Sequence, residues 1–423
     1  MTRLLPIRVM VCGMAVTLLS ACKPSVPELP TDWLAKAEYE LARMPADHPH
    51  RTVTMMMLLS ELGKAGEADR FLKLAELPPF NDAKTRQSWS VMLAPALIEG
   101  GRADVARQVV DTWSTTPEYR AMGYWTTCTA AAKQWDFELA SELLAEASKG
   151  EERLRHKSLE TIATEQVKSG RFADAEATIA KLEDSSRELS LAASLTMIKS
   201  FPELANAPPS QGPPPPHVRL VPGIANLSLL RALVIDRPDI AEKIAGMLIK
   251  DSDAASNWIF IGQYHLQKGD RDAAVKALKM AANTAAEIDP DFAGFVVNYH
   301  LLAAQGRGGM TDEVRKTIKA MMPLEGDDPT EQLLESLILD KLRGTIIIDA
   351  LVRIGDGKTV METIRKSEDA AARAAMIGTV TLAMTESGQQ NAAVEFVESL
   401  KDPSERCTGW IGIAIGSRNL ARR

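Results

Sequence analysis

The chain has few aromatic side chains: Phe, Trp and Tyr make up only 5% of its 423 residues, although 45% of the residues are apolar. A core with so few rings must be filled mainly by aliphatic side chains, and this balance favours an array built on Ala and Leu. The length suits several ordinary domains or one extended repeat array.

Clusters of basic residues are also missing. The chain has 49 Lys and Arg against 56 Asp and Glu, which gives a formal net charge of −7. Nucleic-acid binding needs clustered Lys and Arg to neutralise phosphates. The sequence therefore predicts no nucleic-acid partner.

Motifs for catalysis and cofactor binding are absent or incomplete. Neither a Gly-x-Ser-x-Gly elbow nor a His-Glu-x-x-His helix occurs. Gly355–Thr359 follows the apolar run Ile346–Ile348 as a phosphate-binding loop follows a strand, but Val352 occupies the place of the first glycine. We predict a turn between two helices here, with Val360 and Ile364 on the second helix. No cofactor and no enzymatic activity are expected.

Metal-ligating side chains are sparse and poorly spaced. His48 and His50 stand close together, but Pro49 prevents helical spacing and neither a Cys nor a third His lies nearby. The carboxylates Asp327 and Asp328 lie in a Gly/Pro-containing stretch. We interpret both groups as parts of solvated loops, so the sequence predicts no metal site.

The N-terminus carries the most specific motif. Arg3 and Arg8 flank an apolar run, Val9–Leu19, that is too short to span a bilayer and is typical of a signal peptide. The next residues, Leu19-Ser20-Ala21-Cys22, resemble the lipobox of bacterial lipoproteins. The resemblance implies removal of residues 1–21 and lipidation of Cys22. An ordinary secretory signal peptide is the alternative.

The mature N-terminus is expected to hold the body at a membrane. Residues 22–30 contain the lipidated Cys22 and three prolines, which favour an extended tether. Lys23, which follows the cysteine, is typical of lipoproteins sent to the outer membrane. The expected location is the bacterial cell envelope, facing the periplasm where two membranes are present.

Only two cysteines remain in the predicted mature body. Cys128 and Cys407 are far apart in sequence, and each helix layer of an array adds about 8–10 Å. A disulfide needs Cα atoms within about 7 Å, so we predict no bridge between them. Cys128 occupies a small-residue position of the repeat described below, which predicts a buried thiol.

The stretch Asn257–Pro290 shows the organisation of the body most clearly. It predicts two amphipathic helices joined by a turn at Gly269, with apolar or small residues at helical spacing before and after it: Trp258, Ile261, Gly262, Ala274, Leu278 and Ala281. The same offsets recur elsewhere, with turn positions at Gly66, Gly101, Trp135, Gly170 and Gly388.

Several of these turn positions are 34 or 35 residues apart. A helical hairpin repeated at this period resembles the tetratricopeptide family. The resemblance implies an all-α solenoid of eight to ten hairpins, built as a tetratricopeptide-like superhelix in one or two lobes.

The array is predicted to be interrupted by a proline-rich segment. Residues 31–200 are assigned to N-terminal repeats, 201–222 to a linker in which Pro213–Pro216 exclude a helix, and 223–423 to C-terminal repeats with a capping helix. The linker is interpreted as a spacer, with docking of its polyproline helix to an aromatic groove as the alternative.

Three further helices are predicted from local sequence. Thr31 or Asp32 can cap a first helix that runs to about Arg43. Met321–Pro329 is predicted to be a loop that precedes an extra helix at Thr330–Leu342. Asp402 is expected to cap a last helix that covers the exposed end of the array.

The resemblance also implies a binding surface on the first helices of the hairpins. In the best repeat the corresponding positions are Ser256, Ile259, Gln263 and Gln267, with His265 nearby. These residues form the candidate groove for a protein or peptide partner. Tetratricopeptide modules that bind acidic tails use Lys, Arg and Asn there, so that specificity is not expected.

A second candidate surface is the run Met55–Met57 near the first hairpin. Methionine is flexible enough to form an adaptable contact surface, but helical core is the default interpretation. The predicted function is a membrane-anchored scaffold or adaptor for protein partners. The alternative is a non-catalytic component of cell-wall or polysaccharide metabolism that binds peptidoglycan or another polymer.

Overall fold

The computed structural model describes residues 32–149, 152–182, 186–210, 226–247, 252–288, 292–321, 341–366 and 369–421. All regular structure in these residues is helical, which confirms the prediction of an all-α protein for this part of the chain. The α-helices, in chain order, are α1 Trp33–Arg43, α2 Arg51–Lys64, α3 Ala68–Ala75, α4 Ala83–Glu99, α5 Ala103–Trp113, α6 Pro117–Lys133, α7 Phe137–Ala147, α8 Glu152–Ser169, α9 Phe172–Ile179, α10 Ser186–Lys199, α11 Pro202–Ala205, α12 Leu227–Val234, α13 Pro238–Met247, α14 Ser252–Lys268, α15 Arg271–Ala285, α16 Phe292–Arg307, α17 Thr311–Met321, α18 Lys341–Leu351, α19 Gly357–Lys366, α20 Ala370–Glu386, α21 Gln390–Ser399 and α22 Pro403–Ala421.

Two helix starts follow directly from capping side chains. The Asp32 carboxylate accepts hydrogen bonds from the N–H groups of Leu34 and Ala35, at 3.3 and 3.1 Å, and α1 begins at the next residue. Asp402 accepts from the N–H of Ser404 at 2.7 Å and caps α22. Both caps confirm the sequence prediction, because a carboxylate satisfies N–H groups that have no partner within the helix.

The turns between paired helices lie where the repeat offsets placed them. Trp135 adopts φ of 62°, a left-handed conformation that non-glycine residues rarely take. Its side chain is only 7% exposed and its Nε1 donates to Glu165 at 3.1 Å. The sequence did not single out Asp236, which has the same φ of 62°. The glycines predicted at these turns all have positive φ: Gly66, Gly101, Gly170, Gly269 and Gly388.

Small residues in the repeat allow helices to approach closely, as predicted. A Cβ added to Gly262 would lie 2.6 Å from Leu278 Cδ2, which is too close for a side chain. Ala106, Ala140 and Ala274 occupy the equivalent small position on the second helices and are completely buried.

The helices pack as successive pairs with different roles for the two members. The first helices α2, α4, α6 and α8 each pack against the next first helix in the series. Among the described helices, the second members of neighbouring pairs, such as α5 and α7, have no comparable contact with each other. Neighbouring pairs therefore contact each other mainly through their first helices.

Helices on either side of the proline-rich segment pack directly, α8 against α12. The fully buried Arg231 links them, because its guanidinium donates to the carbonyls of Ser169 and Pro208 at 3.0 and 2.8 Å. Burial lowers the pKa of Arg231 to about 10. Pro213–Pro216 lie outside the described residues, as does most of the predicted extra helix at Thr330–Leu342.

The last helix does not cover a free end. It packs against α20 on one side and against α1, the first described helix, on the other. Trp410 stacks on Trp33 with ring centroids 5.7 Å apart, and Arg406 pairs with Glu40 at 2.9 Å. The expectation of an exposed end is thus corrected. The contacts between helices form a closed circuit, in which α1 packs on α22 as a second helix packs on its first helix.

Candidate functional site

The groove predicted on α14 is not a single accessible surface. Ile259 is only 1% exposed and belongs to a buried cluster with Leu278, so its prediction as a surface position is wrong. Ser256 and Gln263 are half-buried, whereas Gln267 is exposed. Ile259 is buried because neighbouring pairs are packed over it, which the repeat offsets alone do not reveal.

His265 is likewise buried, with 7% of its surface exposed. Its ring contacts Tyr264 edge to face at 5.2 Å, and its two nitrogens lie 3.8 Å from carboxylate oxygens of Glu242 and Asp270. These contacts fix the imidazole between α13 and the start of α15. It serves packing at this place rather than an open groove.

A different apolar groove lies where the two ends of the chain meet. It has a volume of about 170 Å³ and is lined by residues of α2, α4 and α22: Met56, Met57, Ser60, Glu61, Met92, Leu93, Ile411 and Ile415. We call it the junction groove. All of its lining residues lie on first helices.

Three methionines make the junction groove accessible and adaptable. Met92 is 58% exposed, and Met56 and Met57 are half-buried. Met55 is completely buried, since consecutive helical residues point about 100° apart. The run Met55–Met57 therefore serves both as core and as groove wall. Unbranched thioether side chains can repack around ligands of different shapes.

The one carboxylate that lines the junction groove, that of Glu61, is already paired with basic side chains. The Glu61 side chain is 7% exposed, and it pairs with Lys64 at 3.1 Å and with Arg418 of α22. The Arg418 contact also ties the C-terminal helix to α2. The remaining lining is apolar apart from Ser60, so the groove offers little to a charged ligand.

α6, which packs against α4, also carries partly exposed apolar side chains. Met122 is 37% exposed. Trp125 is half-buried, with the Lys157 ammonium 5.2 Å from the centre of its ring, a cation–π contact.

Pro95, inside α4, is accommodated by the neighbouring helix. A proline has no N–H, so the carbonyl four residues earlier, that of Val91, loses its helical partner. The Thr126 hydroxyl of α6 donates to this carbonyl at 2.9 Å. This bond fixes the spacing of α4 and α6 next to the methionines.

The junction groove was not predicted from the sequence, although the spacing of two of its methionines indicates a shared face. Met57 and Met92 each lie nine residues before a turn glycine, Gly66 and Gly101, so they occupy the same face in successive pairs. The third wall comes from Ile411 and Ile415. Their approach depends on the pairing of chain ends, which no local pattern indicates.

His48 and His50 lie between α1 and α2, where the sequence predicted a loop, and His48 Nε2 is 3.9 Å from Asp402. In the part of the chain that the structure describes, no three His, Cys, Asp or Glu residues are placed to hold a metal ion.

Cys128 is fully buried, as predicted, and burial raises the pKa of its thiol to about 11. Gly355 lies at a turn, with φ of 101°.

The predicted lipidation site Cys22 lies outside the described residues, as do Asp327 and Asp328. Within the described ranges, no helix has the length and apolar character needed to cross a membrane. No protein-family model and no curated protein matches this chain.

Proposed function

We propose that the protein is a membrane-anchored lipoprotein of the bacterial cell envelope that acts as a scaffold or adaptor, and that it binds an apolar segment of a partner protein in the junction groove. The body is proposed to be a tetratricopeptide-like array whose first helices present the binding surface. The observation that carries the proposal is the exposure of Met92, 58%, in a groove whose other walls are apolar.

The dimensions and chemistry of the junction groove suit one large apolar side chain. Its volume is about 170 Å³, and an apolar protein cavity of about 150 Å³ is large enough to bind benzene. Exposed apolar surface on a folded protein commonly marks an interaction site. An acidic tail would find only the carboxylate of Glu61, which is already paired with Lys64 and Arg418.

The anchoring part of the proposal rests on Leu19-Ser20-Ala21-Cys22. A Cys22→Ala variant should no longer be lipidated and should leave the membrane fraction. Lipidation is measured by mass spectrometry of the mature N-terminal peptide. Equal membrane retention of the variant and the wild type would refute the lipid anchor.

The binding part can be tested with defined ligands and two matched variants. Fluorescent peptides of three kinds, apolar helical, acidic C-terminal and scrambled polar, are titrated with the protein and followed by anisotropy. The Met92→Glu variant places a charge in the groove. Met280→Glu places the same charge on an exposed methionine of α15, 42% accessible and away from the groove.

We expect only the apolar peptides to bind, and Met92→Glu to weaken binding at least tenfold while Met280→Glu leaves it unchanged. Desolvating a carboxylate against methionine side chains is unfavourable. Equal effects of the two variants, or preferential binding of acidic peptides, would contradict the proposal. Binding of soluble peptidoglycan fragments in place of peptides would favour the role in cell-wall metabolism.

A further inference from the structure

The two ends of the chain together form one helix pair. The last helix, α22, is a first helix: it packs against α20, the preceding first helix, and against α2, the next one. α1 contacts α22 and α2 in the same way as the second helix α7 contacts α6 and α8. This pair therefore completes the circuit with helices from opposite ends of the sequence.

The contacts between α1 and α22 are specific. Trp33 stacks on Trp410 with an interplanar angle of 11°, and the Lys36 ammonium lies 4.8 and 4.4 Å from the centres of the two rings. The Cys407 thiol donates to the Ala37 carbonyl at 3.2 Å. These residues form a continuous seam along one side of α1.

This pair differs from the others in its covalent connection. Other pairs are joined by a short turn, for example at Gly269, so their two helices stay together as long as the turn is intact. α1 and α22 are linked only through residues 44–402. Loss of these contacts leaves α22 joined to α2 only through their direct contact, which includes the pair Arg418 and Glu61, and it requires no other pair to unfold. The seam therefore has an opening equilibrium of its own.

α1 also positions the walls of the junction groove. Arg51, the first residue of α2, donates to the carbonyls of Leu41 and Met44 at 2.8 and 2.6 Å and fixes α1 to α2. α22 and α2 also contact each other directly, through Arg418 and Glu61. By packing on both helices, α1 strengthens this contact and keeps Ile411 and Ile415 next to Met56.

We propose that α1 is a latch: its release frees α22 to separate from α2, which opens the array and moves the walls of the junction groove apart, and its docking assembles them. Coupling is reciprocal, so a ligand in the groove stabilises the docked latch. This coupling to a ligand rests on the proposed function, whereas the latch itself does not. The segment that precedes α1 in sequence is the predicted tether, so a pull on the membrane anchor acts first on the latch.

Cys407 provides a built-in probe of the latch. The thiol is completely buried under α1, and burial raises its pKa far above the ordinary value, so it reacts only after opening. Cys128, also completely buried, lies on α6 away from the seam and serves as the internal reference. The native full-length protein is treated with iodoacetamide, and the labelling rate of each cysteine is measured by peptide mass spectrometry.

We expect Cys407 to react at least tenfold faster than Cys128 at low urea, with little dependence on urea concentration. Trp33→Ala removes the stack and should accelerate labelling of Cys407 at least tenfold. Lys36→Ala, which leaves both rings in place, should accelerate it severalfold. The matched control is Trp113→Ala, which removes a similar stack on Phe71, 5.9 Å between centroids, outside the seam; it should leave the ratio of the two cysteines unchanged.

The latch is refuted if both cysteines react at one rate with the same urea dependence, or if Trp33→Ala accelerates both equally. In a second step, an apolar peptide that binds the junction groove should slow labelling of Cys407 and leave Cys128 unaffected. Peptide binding without a Trp33→Ala effect refutes the latch and leaves the adaptor function standing. A Trp33→Ala effect without any peptide binding supports the latch and refutes the proposed function.

Discussion

Gly412 in α22 is a position at which a single methyl group should damage the circuit. A Cβ added there would overlap the Gly378 carbonyl oxygen and the Thr381 hydroxyl of α20. The carbonyl belongs to the backbone of the facing helix, so it cannot move aside as a flexible side chain can. Gly412→Ala should therefore force α20 and α22 apart.

The size of the effect follows from two opposing contributions. Overpacking a tight contact costs about 1–3 kcal/mol, and a backbone obstacle places Gly412 near the upper end of that range. By itself, replacing glycine with alanine inside a helix stabilises the helix by about 1 kcal/mol. We expect Gly412→Ala to lower the free energy of unfolding by about 2 kcal/mol.

Gly246 in α13 offers the same chemical change without the obstacle. No atom lies within 4 Å of a Cβ built there. Gly246→Ala should leave stability unchanged or raise it by up to about 1 kcal/mol. Urea unfolding followed by far-ultraviolet circular dichroism measures both variants. Equal stability changes for the two substitutions would refute the close contact between α20 and α22.

Three further substitutions test local features. Trp135→Gly removes the strain of a left-handed backbone, about 1–2 kcal/mol, but it also removes the packing of a buried indole, about 3–5 kcal/mol. The free energy of unfolding, measured by thermal unfolding, should therefore fall by about 2 kcal/mol. Thr126→Val should lower the free energy of unfolding by about 1–3 kcal/mol, because it leaves the Val91 carbonyl unpaired. Adding Pro95→Ala restores a backbone N–H for this carbonyl and should recover most of the loss, as measured by urea unfolding. Asp402→Ala should remove about 1 kcal/mol of capping at neutral pH, and its difference from wild type should shrink in acid.

The pH dependence at Asp402 has a defined direction. Burial alone would raise the pKa of this carboxyl, but hydrogen bonds from the hydroxyl and N–H of Ser404 and the N–H of Glu405 outweigh it and hold the pKa below its ordinary value. A lowered pKa in the folded state means that the carboxylate stabilises the fold above about pH 3.9, its unfolded pKa. That contribution is lost as the pH falls through the folded pKa. An unchanged difference between variant and wild type at low pH would contradict this.

Much of the local structure could be predicted because its causes are local. The turn at Trp135 followed from the offsets of neighbouring copies, although the residue is not glycine. The caps at Asp32 and Asp402 followed from side-chain chemistry one residue before each helix. Cys128 was correctly placed in the core because a small residue is required at its position of the repeat.

The junction groove and the burial of Ile259 depend on packing between distant parts of the chain. The repeat offsets treat every pair alike, so they predicted an exposed position at Ile259, where packing against neighbours covers it. They also assigned α22 to a free end. The closure of the circuit involves contacts of α22 with α2, such as Arg418 with Glu61, and no periodic pattern links residues so far apart in sequence.

The proposal of an adaptor with an apolar partner in the junction groove is tested most directly by photo-crosslinking in intact cells. A benzophenone amino acid replaces Met92 in the groove in one variant and Met280 on α15 in a second, since both side chains are exposed. The account predicts that the probe at position 92 forms a crosslink to a partner polypeptide, that Met57→Glu in the same chain abolishes it, and that position 280 gives none. Crosslinks of equal yield at both positions, or none at position 92, would contradict the account.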